Sequence, residues 1–239
     1  MSALFLDYIT DWTRLRRFYP QPYSVESIAA FARQRPALST AHRERLCGSL
    51  AGDSVSIRKL AAGAVCIITG QQPGLFTGPH YTILKAVTVI KLAKALDRLG
   101  VPAVPVFWVA AEDHDHQEIQ SASVFDRDGG LMHVGIDLSN PDSSPVGWLT
   151  LGGDVRDALS KCLAGLPDSE FQHEVQQIME SSYSPGVSPV DAFVSAMVTL
   201  FEGTGLVLVN PLEPEIRKLA HPTLVQAQAG VALFGKGQR

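Results

Sequence analysis

The spacing of apolar residues changes character at Ala64. Upstream, residues 1–63 carry apolar positions at helical intervals among polar and charged ones. Ser24 can cap SVESIAAFARQR, with Pro36 just beyond its end. Ser39 or Thr40 starts a second helix through Leu50, and Ser54 or Ser56 a short third that stops near Gly63. No catalytic motif falls in this stretch, which reads as a helical layer packed on the main fold. From Ala64 the run AVCIIT is continuous, apolar and β-branched, which predicts a strand buried on both faces with Cys66 as a small core residue. GQQPGLFTGP follows, and its glycines and prolines exclude regular structure. HYTILKAVTVIKLAKALDRLG then runs without a breaker. Ile83, Val87, Ile90, Leu92, Leu96 and Leu99 mark its apolar face, and Gly100 sits where a C-cap belongs. In VPAVPVFWVA, Pro102 and Pro105 fall early, which confines the strand to Val106–Ala110 and places Trp108 in the core. Strand, loop, helix and strand make a βαβ unit, expected to be right-handed with parallel strands.

Beyond AAEDHDHQEIQ the pattern alternates. SASVFDRDGGLMHVGIDL predicts a hairpin turning at Asp128, Gly129 and Gly130. SNPDSSP reads as a loop, and VGWLTL as a further strand. Residues 154–166, 168–182 and 189–202 read as helices, GLVLVNP as a third buried strand, and EPEIRKLAHPTL as the start of another helix. The fold class is therefore α/β: a Rossmann-like parallel sheet with a helical N-terminal layer and a small β insertion. The expected division is a helical layer over 1–63, a βαβ unit over 64–119 and the β insertion over 120–153. Helices and the third core strand occupy 154–224, and an atypical tail 225–239. Three core strands are fewer than the four or five of a doubly wound sheet, so the expectation is either the N-terminal part of a larger protein or an aberrant tail.

Composition narrows the function classes. Apolar residues make up 46% and charged ones 18%, a balance that supports a large core and excludes disorder. A net charge of −4 gives no general field for nucleic acid. Arg14, Arg16 and Arg17, and again Arg43 and Arg45, read as solvated helix faces. Cys47, Cys66 and Cys162 are scattered and odd in number, which fits a reducing compartment rather than a disulfide framework. The N-terminus lacks a signal-peptide layout and no apolar run is of membrane-spanning length, so the expectation is a cytoplasmic protein with neither membrane nor nucleic-acid partner.

Two constellations could carry chemistry. Ligands bind at the carboxyl ends of the strands in an open α/β sheet, and the loop TGQQPGLFTGPHY, residues 69–81, leaves the first core strand there. Its helix should begin near Pro79 or His80, where unpaired N–H groups favour phosphate or carboxylate. Gly70, Gly74 and Gly78 permit tight turns, Gln71 and Gln72 both donate and accept, and Lys85 lies one turn in. The loop is neither a P-loop nor GxGxxG. Read structurally, it is an ordinary βα turn with Leu75 and Phe76 plugging the core.

The second constellation is Glu112, Asp113, His114, Asp115, His116 and Glu118, directly after the second strand. These groups can serve as acid and base or ligate a metal; His114 and His116 point the same way if the segment is extended. No distant third His or Cys completes a metal site, and no metal is expected beyond magnesium accompanying a nucleotide. Asn210 and Glu213 follow the third strand but also make a good helix start. His80 lines or caps the helix start, and His42, His133, His173 and His221 read as surface or structural.

VCIITGQQPGLFTGPHYTILKAVTVIKLAKAL followed by VPVFWVAAEDHDHQEI closely resembles the cysteine-adding ligase family of bacillithiol biosynthesis, BshC, and GLVLVNPLEPEIRKLA resembles that family's third-strand region. The resemblance covers most of residues 1–224. It implies a Rossmann-like core with insertions, and a C-terminal coiled coil that mediates homodimerisation. It also implies a reaction that joins cysteine to glucosaminyl malate, with ATP activating the cysteine carboxylate as an adenylate. Gly70, Gln71, Gln72, Gly74, Gly78, Pro79 and Tyr81 would line the site, with Lys85 in reach of an anion. Glu112, Asp113, His114 and Asp115 would face them as the catalytic group. GPHY lacks the paired histidines that synthetases use around an ATP phosphate, and His80 and His116 replace apolar residues of the family. The alternatives are a metal-dependent hydrolase or transferase built on the EDHDH segment, and an inactive fragment.

Overall fold

In the computed structural model, residues 2–35, 38–138 and 144–234 are described. A four-stranded sheet forms the centre, in the order β1 (Leu50–Gly52), β6 (Val207–Val209), β3 (Ala103–Val109), β2 (Val65–Gln71). β2, β3 and β6 run parallel, with Ile68 opposite Val106 and Phe107 opposite Leu208. β1 closes the other edge antiparallel to β6. The mixed α/β, Rossmann-like class read from the sequence is the fold observed.

Alternation along β3 sends side chains into two helical layers. Phe107 and Val109 pack with Ala86, Val89 and Ile90 of α5 (Tyr81–Arg98) and with Val190, Phe193 and Met197 of α9 (Pro189–Leu200). Val104 and Val106, joined by Val207 and Val209 of β6, face Leu60 of α4 (Ser54–Ala61) and Ile216 of α10 (Pro214–Phe234). Both layers exclude water from β3, and Val104, Phe107 and Val109 have no exposed surface. Burial of one such side chain contributes about 1.5–3 kcal/mol. α5 stops in a Schellman arrangement: Gly100 (φ 72°) allows the Val101 amide to reach Leu96 O at 3.0 Å and its own amide to reach Asp97 O at 3.0 Å.

Upstream, Ser2 caps α1 (Ala3–Thr10), Ser24 caps α2 (Val25–Gln34) and Ser39 caps α3 (Thr40–Cys47) through their side chains. The second expected helix thus ends at Cys47, and Leu50 belongs to β1, a strand too short to show a period. β2 is not buried on both faces. It lies at the sheet edge, so Cys66 is exposed and Ile68 is 60% exposed, which corrects the core assignment of that cysteine. β3 begins at Ala103, earlier than Val106. Pro105 fits because register pairs it with Ile67 while both flanking strands still find ladder partners. Trp108 is only partly buried, its indole N–H donating to Glu112 Oε1 at 3.3 Å.

The hairpin β4 (Ser121–Phe125) and β5 (Leu131–Gly135) forms as expected, but as a separate two-stranded sheet. The segment VGWLTL adds no strand: Val146–Trp148 is a single 3-10 turn. α7 (Asp154–Gly165) and α8 (Gln172–Ser182) pack with the hairpin's flank around Ile136, Leu138, Leu149, Leu151 and Val155. α8 starts four residues later than expected because Ser169 O first closes a turn with the Gln172 amide. The tail is also helical: α10 continues through Pro222 to Phe234, so the terminal element comes from a region that the pattern left unassigned. The loop expected over 139–145 lies largely outside the described residues, as do residues 235–239. Among the described residues no helix is long and apolar enough to cross a membrane.

Candidate active site

Parallel strands deliver their following loops to one edge. β2 ends at Gln71, β3 at Val109 and β6 at Val209, so the segments 72–80, 110–115 and 210–213 leave side by side. The first two are tied together at their bases. The Ala110 amide donates to Gln71 O at 3.0 Å, and Gly70 lies so close to β3 that a Cβ there would meet Trp108 O at 2.7 Å. Glycine is required here by close approach.

The decisive contact comes one residue later. Gln72 Nε2 donates to Asp113 Oδ2 at 2.7 Å, joining the two sequence constellations through their own side chains. The other oxygen of Asp113 accepts from the amides of His114 at 2.6 Å and Asp115 at 3.0 Å. These bonds favour the carboxylate. The Asp115 amide contributes most, and with the His114 amide and Gln72 it holds Asp113 below the usual carboxylate range against the opposing effect of partial burial. Asp113 is therefore a fixed anion, oriented from three sides.

Its neighbours diverge. Glu112 is turned toward the Trp108 indole. His114 is exposed on the outside of the turn. Asp115 caps the helical turn α6 (His116–Ile119), accepting from the Gln117 amide at 3.1 Å. That turn ends the extended geometry in which His114 and His116 would align. His116 instead sets Nε2 2.8 Å from Ser144 O. Among the described residues no group of three or more His, Cys, Asp or Glu side chains is placed to hold a metal ion.

The strap from Pro73 to Pro79 runs from Gln72 to the start of α5. Leu75 is 2% exposed and plugs the core of the hairpin and α7–α8 region, with Phe76 packed against it. Gly74 and Gly78 meet where the strap doubles back, and a Cβ on Gly74 would lie 2.7 Å from Gly78 Cα. Between them, Phe76 (φ 51°) and Thr77 (φ 74°) are both left-handed, a conformation uncommon in residues with a side chain and an outlier for β-branched threonine. Tyr183, just after α8, supplies a partner for this backbone: its hydroxyl accepts from the Thr77 amide at 2.9 Å and lies 3.5 Å from Gly74 O. Sequence reasoning missed Tyr183. It lies about a hundred residues from the strap, and its one signal was an aromatic with a polar tip at the end of a helix.

The strap leads into α5, with His80 at its N-cap and Tyr81 its first residue, close to the start expected near Pro79 or His80. The His80 and Tyr81 amides find no hydrogen-bond partner among the described residues, as expected for a helix start able to receive an anion. Thr82 Oγ1 is buried there without a partner. Lys85 does not stand free. Its ammonium lies 2.9 Å from Gln71 Oε1 and 3.3 Å from Gly70 O, and 4.8 Å from the Tyr81 ring centre. Pro79, His80 and Tyr81 are exposed on the rim. Asn210 serves the backbone, accepting from the Leu212 amide at 3.0 Å, while Asn210 and Glu213 line a separate cavity of about 260 Å³ with Asp191 and Ser49.

Comparison with known proteins shows the family. The family described as "Bacillithiol biosynthesis BshC, N-terminal Rossmann-like domain" matches residues 1–231. The chain belongs to the BshC family. A relative from Salinibacter ruber is 35% identical over 234 residues, which is 92% of this chain and 42% of the relative. One from Koribacter versatilis is 30% identical over 240 residues, 97% of this chain and 44% of the relative. One from Solibacter usitatus is 38% identical over 176 residues, 73% and 33% of the two chains. Each carries the name "Putative cysteine ligase BshC". The chain thus spans less than half the length of these curated relatives and corresponds to the N-terminal Rossmann-like part of BshC.

Proposed function

We propose that this chain contributes the ATP- and cysteine-facing half of a ligase that joins L-cysteine to glucosaminyl malate in bacillithiol biosynthesis. The observation that carries this reading is the Gln72–Asp113 bond, which makes one site of the 69–81 loop and the EDHD segment at the carboxyl edge of the sheet. The cysteine carboxylate attacks the α-phosphorus of ATP and pyrophosphate leaves. The sugar amine then attacks the acyl carbon, loses a proton, and releases AMP. The α5 start, with its two free amides, receives phosphate oxygens, as does Lys85 once released from Gln71. Magnesium accompanies the nucleotide.

Asp113 fits the second step by electrostatics. As a fixed carboxylate it holds a cationic amine near the acyl carbon, and its lowered proton affinity makes it an anchor rather than the base. His114, exposed on the same turn, takes the amine proton. Glu112 and Asp115 border the same turn. The test is to incubate the protein that carries this chain with ATP, cysteine and glucosaminyl malate and to follow thiol product and AMP by mass spectrometry. Stoichiometric product and AMP are expected; release of ADP, or product without nucleotide, would overturn the adenylate route.

A further inference from the structure

The strap between Gln72 and α5 is in an unfavourable conformation, and something must hold it there. Phe76 and Thr77 are consecutive left-handed residues with side chains, flanked by Gly74 and Gly78 in backbone contact. Such strain persists only where the surroundings over-determine it. Leu75 anchors the strap on one side by burial. An apolar plug leaves the backbone free to rotate; a hydrogen bond to a particular amide does not.

That bond comes from Tyr183. Its side chain is carried by the α8–α9 connection, 2% exposed, with its ring edge-on to Phe76 at 5.1 Å. The Thr77 amide donates to the phenol oxygen at 2.9 Å, and the phenol proton points to Gly74 O at 3.5 Å. One hydroxyl thereby bridges the two ends of the left-handed segment. Burial pushes the phenol's proton affinity up, which keeps that proton available.

We infer that Tyr183 is a positioning residue for the ligase site: its hydroxyl fixes the 74–78 strap so that the α5 amides face the nucleotide. The role couples the α8–α9 connection, which touches no reacting group, to the carboxyl edge of the sheet. This inference rests on the ligase reading for its ligand, though not for its geometry.

Tyr183→Phe keeps the ring and removes the bridge. Ile216→Val, in the opposite layer, serves as a control for general loss of stability. Two readouts are followed at a temperature well below melting. Amide exchange at Thr77 and Gly78 is expected to speed up at least tenfold in Y183F and to stay within twofold in I216V. ATP titration is expected to show a dissociation constant raised about fivefold or more in Y183F and unchanged in I216V. Unchanged exchange at Thr77 and Gly78 would overturn the strap assignment. Faster exchange with unchanged ATP affinity would reduce Tyr183 to a structural residue and overturn the inference. If the unsubstituted protein binds no ATP, the nucleotide reading fails, and the inference falls with it while the exchange result still reports the strap.

Discussion

Substituting Gly74 by alanine probes the strap with one methyl group. Its backbone (φ −60°, ψ 150°) suits any residue, so conformational strain adds nothing. The whole effect is steric. The new Cβ would lie 2.7 Å from Gly78 Cα and 3.3 Å from Gly78 N, inside the 3.4 Å at which ordinary contact begins. Both obstacles are backbone, which cannot rotate away as a side chain would. Overpacking of this kind costs about 1–3 kcal/mol. For a chain of this size that corresponds to a fall of roughly 2–12 °C in Tm. Gly129→Ala is the reference: it lies in the hairpin turn at φ 79° with nothing within 4 Å, so it carries conformational strain alone, about 1 kcal/mol. Urea and thermal unfolding give the stabilities, and ATP titration gives the local effect. G74A should lose stability and nucleotide affinity together; G129A should lose stability alone. A G74A protein as stable as the parent and equal in affinity would refute the doubled-back strap.

Leu75→Ala should cost about 3–5 kcal/mol by opening a cavity in the hairpin and α7–α8 core, measured by urea unfolding. In a double-mutant cycle, Gln72→Ala and Asp113→Asn should couple by about 1 kcal/mol, since the pair is only partly buried; zero coupling would remove the link between the two segments. Because Asp113 is held below its unfolded pKa of about 3.9, its contribution to stability is complete above that pH and is lost as pH falls through the lower folded value. D113N should therefore flatten the stability–pH curve below about pH 4 and leave its shape near neutrality unchanged.

Legibility from sequence followed local physics. α5 carries a strong helical period, the hairpin its turn residues and β6 an uninterrupted apolar run, and all three emerged near their observed bounds. The 69–81 loop and the EDHD segment were visible because glycine, proline and charge seldom crowd after buried strands. What escaped was set by tertiary context. β1 has three residues and exists through its pairing with β6. The exposure of Cys66 follows from the place of β2 at the sheet edge, which an apolar run cannot reveal. His114 and His116 looked alike until Asp115 capped a helical turn between them. Tyr183 reaches the strap across more than a hundred residues of chain, and no local pattern records that contact.

A ligase of this kind requires that the two walls joined by Gln72 and Asp113 activate a carboxylate. Cysteine-dependent exchange of labelled pyrophosphate into ATP measures that step directly. With carboxylate activation at this site, exchange requires cysteine and falls at least tenfold in Gln72→Ala. Exchange that is indifferent to cysteine, or unaffected by the loss of Gln72, would contradict it.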